Sequence, residues 1–190
     1  MIGDVDLIKL ACHHTVNTIF KMSNPFVAVL MGSDSDLPVM KLTFQVLDEL
    51  GVTWEAKITS AHRTPEATHR YVKDAEKRGC AVFVAAAGLA AHLAGAVAGL
   101  TVKPVIGVPM DGGPLSGQDA LLSTVQMPGG IPVGCVAIGK AGAKNAGYLA
   151  AQILALADDD LAVRVRADRD NNARAIIARD EEFQQTLTSS

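Results

Sequence analysis

Three short segments of this chain carry side chains that can do chemistry, and each follows an apolar run. Gly32-Ser33-Asp34-Ser35-Asp36 sets a glycine, two hydroxyls and two carboxylates ahead of a helical pattern. Backbone N–H groups and hydroxyls at a helix start can hold a phosphate, whereas a carboxylate repels one. Asp36 therefore suits ribose hydroxyls, or is itself the helix cap; a tight turn with ordinary capping also explains the segment. Ser60-Ala61-His62-Arg63-Thr64-Pro65 pairs a histidine, whose unperturbed pKa of ~6.5 allows proton exchange near neutrality, with an arginine whose fork of donors clamps phosphate or carboxylate. The competing reading is a structural or merely exposed histidine. Ala87-Gly88-Leu89-Ala90-Ala91-His92-Leu93-Ala94-Gly95 has small residues that let backbone approach a ligand, with His92 near a helix's first turn. Tight helix–sheet packing explains it as well.

These segments need elements to hold them. Residues 26–31 form a short apolar run stopped by Gly32, and residues 54–59, 81–86, 105–108 and 133–138 read as four more strands. Helical spacing covers residues 37–50, with Leu37, Met40, Phe44, Leu47 and Leu50 on one face and Gly51 after it. Thr64-Pro65-Glu66 reads as a capped helix start leading to Arg78, with Gly79 beyond. Further helices are expected over 90–98, 118–125 and 141–156. Strands alternating with helices predict a parallel sheet covered on both faces, in a flavodoxin-like, doubly wound three-layer α/β/α sandwich. In such folds ligands bind beyond the carboxyl ends of the strands, where all three segments fall.

The sequence divides into an extension (1–24), a catalytic domain (25–157) and a charged C-terminal stretch (158–190). The last contains a helix expected over 158–179, capped among Asp158 to Asp160, and a polar tail over 184–190. Met22 is a possible alternative start. Hydrophobic residues make up 49% and aromatics only 4%, so the core must be built from Ala, Val, Leu and Ile. A net charge of −3, with no basic run, argues against a nucleic-acid or membrane surface. Cys12, Cys80 and Cys135 have no paired spacing, and His13, His14 and His69 no partners at ligand spacing. No disulfide, metal site, leader or membrane span is read, and a cytoplasmic setting is expected. The loops at 114–119 and 126–133 read as Gly- and Pro-rich connections.

Taken in register, the segments resemble the N5-carboxyaminoimidazole ribonucleotide mutases, the bacterial-type first class of phosphoribosylaminoimidazole carboxylase catalytic subunits. Carrying the resemblance are Met31 to Asp36, Ser60 to Pro65, Ala90-Ala91-His92-Leu93, Leu115-Ser116-Gly117, Val125 to Gly134, Ala137 to Ala143 and Ala150 to Leu154. It implies a homo-octamer with sites at subunit contacts, a ribonucleotide substrate, and neither metal nor organic cofactor. By position it assigns Ser33, Asp36 and Arg63 to the phosphoribosyl part, with Ser35 and Ser60 close by. His62 becomes the proton-transfer residue, and His92 lies by the migrating carboxylate.

The chain departs from the family pattern at Ala86, Leu89 and Ala94, and in the loop Asp111-Gly112-Gly113-Pro114. Leu89 matters most, because a glycine there would supply positive φ or room. Two alternatives are an aminoimidazole ribonucleotide carboxylase taking free carbon dioxide, and a non-catalytic nucleotide-binding assembly module. The carboxylase class typically has Lys after the motif His and an Arg-Ser-Asn run after the third strand. Arg63 and Ala90-Ala91-His92-Leu93 stand there instead.

Overall fold

A computed structural model describes residues 25–188. The extension 1–24, with His13, His14, Cys12 and the possible start at Met22, lies outside the described residues. Five strands, β1 (Phe26–Met31), β2 (Trp54–Ile58), β3 (Cys80–Ala87), β4 (Val105–Pro109) and β5 (Gly134–Cys135), form one parallel sheet in the order β2-β1-β3-β4-β5. Six helices accompany them: α1 (Leu37–Glu49), α2 (Pro65–Arg78), α3 (Leu93–Ala98), α4 (Gln118–Val125), α5 (Gly139–Leu154) and α6 (Asp159–Thr188).

The pleat sorts the strand residues between two cores. Val27, Val29, Met31, Val82, Val84, Ala86, Ile106 and Val108 pack with Met40, Val46 and Leu47 of α1 and Ala143, Ala146 and Ala150 of α5. Ala28, Leu30, Phe83, Ala85 and Val105 face Val72 and Ala75 of α2 and Leu93, Ala94 and Val97 of α3. Because both faces are covered, the central strands read as continuous apolar runs. Small residues set the layer spacing. A methyl on Gly147 of α5 would come 2.9 Å from Val46 Cβ, so α1 and α5 are in near backbone contact, and Thr43 Oγ1 donates to the Ala143 carbonyl at 2.7 Å.

Several boundaries differ from expectation. β5 has two residues rather than six; only Ile106↔Gly134 and Gly107↔Cys135 pair, with one further bond from Val136 N to Gly107 O at 3.0 Å. It is an edge strand with Pro132 ahead of it and Ile138 already turning into α5. α3 begins at Leu93, not Ala90: Ala90 to His92 form a tight turn in which His92 N donates to the Ala90 carbonyl at 2.9 Å, and the helical ladder starts only with Ala96 N on the His92 carbonyl. Thr64 does not cap α2: its hydroxyl accepts from Ser60 N at 2.9 Å and donates to Ser60 O at 3.2 Å instead. α6 runs past residue 179 through 184–188, since nothing from Asp180 to Thr188 is Gly or Pro. Its start is capped as expected, Asp158 Oδ1 accepting from Leu161 N at 2.9 Å. No helix among the described residues is long and apolar enough to cross a membrane.

Candidate functional site

The carboxyl ends of β1, β2, β3 and β4 surround a cavity of about 690 Å³. All seven residues singled out from the sequence, Ser33, Ser35, Asp36, Ser60, His62, Arg63 and His92, line it. Adjacent strand ends make this possible: β2 and β3 flank β1, so the three loops meet over its end.

After β1 the chain turns through a short 3-10 stretch, Asp34–Asp36, held by a capping box. Ser35 N donates to Ser33 Oγ at 3.2 Å, and Ser33 N donates to Asp36 Oδ2 at 3.1 Å. Asp36 is therefore not the cap of α1, to whose backbone its side chain makes no capping bond; it is the acid of a box capped by Ser33, and the Ser35 hydroxyl donates to Ser33 Oγ at 2.8 Å. Only 7% of Asp36 is exposed. Burial pushes its carboxyl above the ordinary value of 3.8, against the opposing pull of the Ser33 and Gly32 backbone N–H groups.

After β2 a second hydrogen-bonded turn presents the histidine. Arg63 N donates to Ser60 Oγ at 3.1 Å, and buried Thr59 and Thr68 join their hydroxyls at 2.7 Å beneath it. Arg63 Nη2 reaches across to the Gly32 carbonyl at 3.2 Å, tying this loop to the one after β1. Its remaining donors have no protein partner among the described residues, so the fork is available to an anion.

His62 and His92 meet edge to face. His62 Nε2 lies 2.8 Å from His92 Nδ1, with ring centroids 5.0 Å apart and planes at 87°. One nitrogen must donate and the other accept, so the bond fixes the tautomers relative to each other. The outer nitrogens, His62 Nδ1 and His92 Nε2, make no protein hydrogen bond among the described residues. Such a pair can pass a proton to or from a bound molecule while the partner ring holds orientation.

The wall on the β4 side was not expected. Met110, Asp111, Gly112 and Gly113 line the cavity, and in sequence this loop showed only Gly, Pro and one acid. The usable signal was its position after a strand. Leu115-Ser116-Gly117 and the 126–133 loop do not line the cavity of their own chain. Among the described residues no group of three or more His, Cys, Asp or Glu is arranged to hold a metal. Cys80 is buried, and burial pushes its thiol up to about 11, which leaves it a small hydrophobe.

Strand order and cleft position together define a flavodoxin-like α/β protein with a cavity at the strand carboxyl ends, where such folds bind their ligands. A profile of the AIR carboxylase family matches residues 26–175. The N5-carboxyaminoimidazole ribonucleotide mutase of Bacillus subtilis is 51% identical over 153 residues, covering 80% of this chain and 94% of that protein. The protein of the same name from Thermotoga maritima is 48% identical over 161 residues, covering 85% and 93%. A crystal structure of Treponema denticola PurE superposes with a TM-score of 0.75 at 32% identity, covering 83% of this chain and 98% of that one. The chain belongs to the AIR carboxylase family.

Proposed function

We propose that this chain is an N5-carboxyaminoimidazole ribonucleotide mutase of purine biosynthesis, with His62 as acid and then base. The observation that carries the reading is the His62–His92 bond in a cleft that also holds Arg63, Ser33 and Asp36. Relatives of that name at about half identity support the substrate class.

The substrate is a carbamate on the exocyclic amine of an imidazole ribonucleotide. A proton from His62 goes to that nitrogen, the N–C bond breaks, and carbon dioxide and aminoimidazole ribonucleotide result. The enamine-like ring carbon then attacks carbon dioxide, forming the C–C bond, and His62 takes the ring proton. The proton lent in the first half returns in the second, so the cycle closes without an outside acid or oxidant. Arg63 and Ser33, with Ser35 and Ser60 near, anchor the phosphoribosyl part, while Asp36 accepts from ribose hydroxyls. His92 contacts the migrating carboxyl and orients His62. The pocket must retain carbon dioxide and exclude water between the two halves. The proposal includes a cytoplasmic homo-octamer. Support for assembly comes from His62, Arg63 and His92 all being exposed in the single chain, which leaves the dry pocket for a neighbour to complete.

The family description itself favours one rival, a carboxylase acting on aminoimidazole ribonucleotide and free carbon dioxide. Purified protein offered each substrate in turn, followed by ultraviolet absorbance, separates them. Rapid conversion of the carbamate supports the mutase; conversion only with free carbon dioxide supports the carboxylase. No conversion of either leaves a nucleotide-binding module.

A further inference from the structure

Leu89 holds a backbone conformation that L residues avoid. Its φ of +56° brings Cβ too close to backbone, and only one other non-glycine among the described residues, Ser116, has positive φ. The loop backbone sets this state, which a glycine would take freely, so the leucine side chain is what this chain adds there at a backbone cost. That side chain lines the cavity and lies against Gly113 of the loop after β4. A methyl on Gly113 would overlap Leu89 Cδ2, and Gly113 has φ +79°, so the facing position also suits only glycine. Immediately below, Met110 N donates to the Ala87 carbonyl at 2.9 Å, and a methyl on Gly88 would sit 3.4 Å from Met110 Cβ. The loops after β3 and β4 are therefore closed against each other, with Leu89 across the top of the seam. Yet 55% of Leu89 remains exposed, facing an open cleft three residues from His92. An apolar side chain held at a backbone cost beside the reacting end has one evident use, which is to make that wall apolar and tight.

We infer that Leu89, seated on Gly113, is the wall residue that retains carbon dioxide in the cleft between cleavage and recarboxylation. The inference rests on the mutase reading above. Carbon dioxide is uncharged and small, so an apolar closure holds it while a gap at the seam lets it exchange with solvent. Leu89 takes no proton and forms no bond; it governs how often the released carbon dioxide is recaptured.

The test runs the carbamate reaction in isotopically labelled bicarbonate, with carbonic anhydrase present. It reads the label entering product and the free aminoimidazole ribonucleotide released per turnover, for the native chain, Leu89→Gly and Leu89→Ala. The glycine variant removes both side chain and strain; the alanine variant keeps the strained Cβ and removes only the contact on Gly113. Both are expected to raise label incorporation and release several-fold, while Leu89→Gly melts at a higher temperature than Leu89→Ala. Partitioning equal to the native chain in both variants overturns the inference. So does leakage in one variant alone, since that traces the effect to backbone rather than side chain. A native chain that never converts the carbamate refutes the mutase reading itself, a result distinct from a competent enzyme whose variants do not leak.

Discussion

His62 and Arg63 are neighbours in sequence with different proposed work, and their substitutions should separate. His62→Asn keeps a polar side chain of similar reach but cannot cycle a proton. Turnover should fall to background while nucleotide affinity stays within about tenfold, or ~1.4 kcal/mol. Arg63→Ala instead removes the proposed anion clamp and the bond to Gly32 O, so affinity should fall first. Isothermal titration beside steady-state rates checks both, and near-normal turnover in His62→Asn removes it from proton transfer. Asp36 supplies a third case, in which stability and function oppose each other. Its folded carboxyl titrates above the ordinary 3.8 because it is buried. The folded chain then binds that proton more tightly than the unfolded chain does. Stability attributable to Asp36 is greatest at acid pH and is lost as pH rises from 3.8 through the raised value. Asp36→Asn keeps an oxygen to accept from Ser33 N and removes the buried charge. Melting temperature at neutral pH should hold or rise, and the acid-to-neutral decline should flatten, while ribonucleotide affinity drops. A variant that melts lower at neutral pH yet binds normally would reverse the assignment.

At the level of elements, close approach is enforced by residues that lack side chains. Gly142 stands in the first turns of α5, where a methyl would fall inside the Ala137 carbonyl oxygen as the chain folds from β5 into the helix. Gly142→Ala gains helix propensity of up to about 1 kcal/mol. Overpacking against rigid backbone costs about 1–3 kcal/mol or more, and here no flexible side chain can yield. The net effect should be destabilisation, read as a lower urea midpoint with an unchanged slope; a more stable variant would show that α5 can shift freely. The same contrast between side-chain pattern and backbone need explains what was legible in the sequence. β1, β3 and β4 were visible because buried parallel strands are apolar on both faces, and Gly51 and Gly79 marked the ends of α1 and α2. β5 was overread because apolar residues from Val133 to Ile138 serve three jobs: loop, strand and entry to α5. The start of α3 was misplaced because nothing in the letters separates the tight turn over Ala90 to His92 from the small apolar helix that follows it. The cavity-lining residues with distinctive chemistry were singled out in the sequence. The Met110–Gly113 wall was not, since its contribution is shape.

For the whole molecule, α6 is the feature least explained by a single chain. Thirty residues of helix span about 45 Å, yet Leu161 alone is buried, with Arg164 Nε donating to the Leu50 carbonyl at 2.8 Å as a second anchor. Beyond these, Ile176, Phe183 and Leu187 fall on one stripe at spacings of seven and four, with Ile177 beside it, and each is more than half exposed. An apolar stripe of that kind on an otherwise charged helix marks an interaction face, and a second copy of the chain is the occupant that the proposed octamer supplies. Cutting the chain after Leu156 would remove the face and both anchors together, confusing assembly with stability. A cut after Arg174 leaves Leu161 and Arg164 in place and takes only the exposed stripe. The shortened protein should melt near the native temperature, show a smaller mass by light scattering, and lose activity, because the exposed histidines then lack the neighbour that shields them. If mass and activity both survive, α6 does not build the interface. If mass falls while activity per chain holds, the cleft is complete within one subunit, and assembly has no part in keeping it dry.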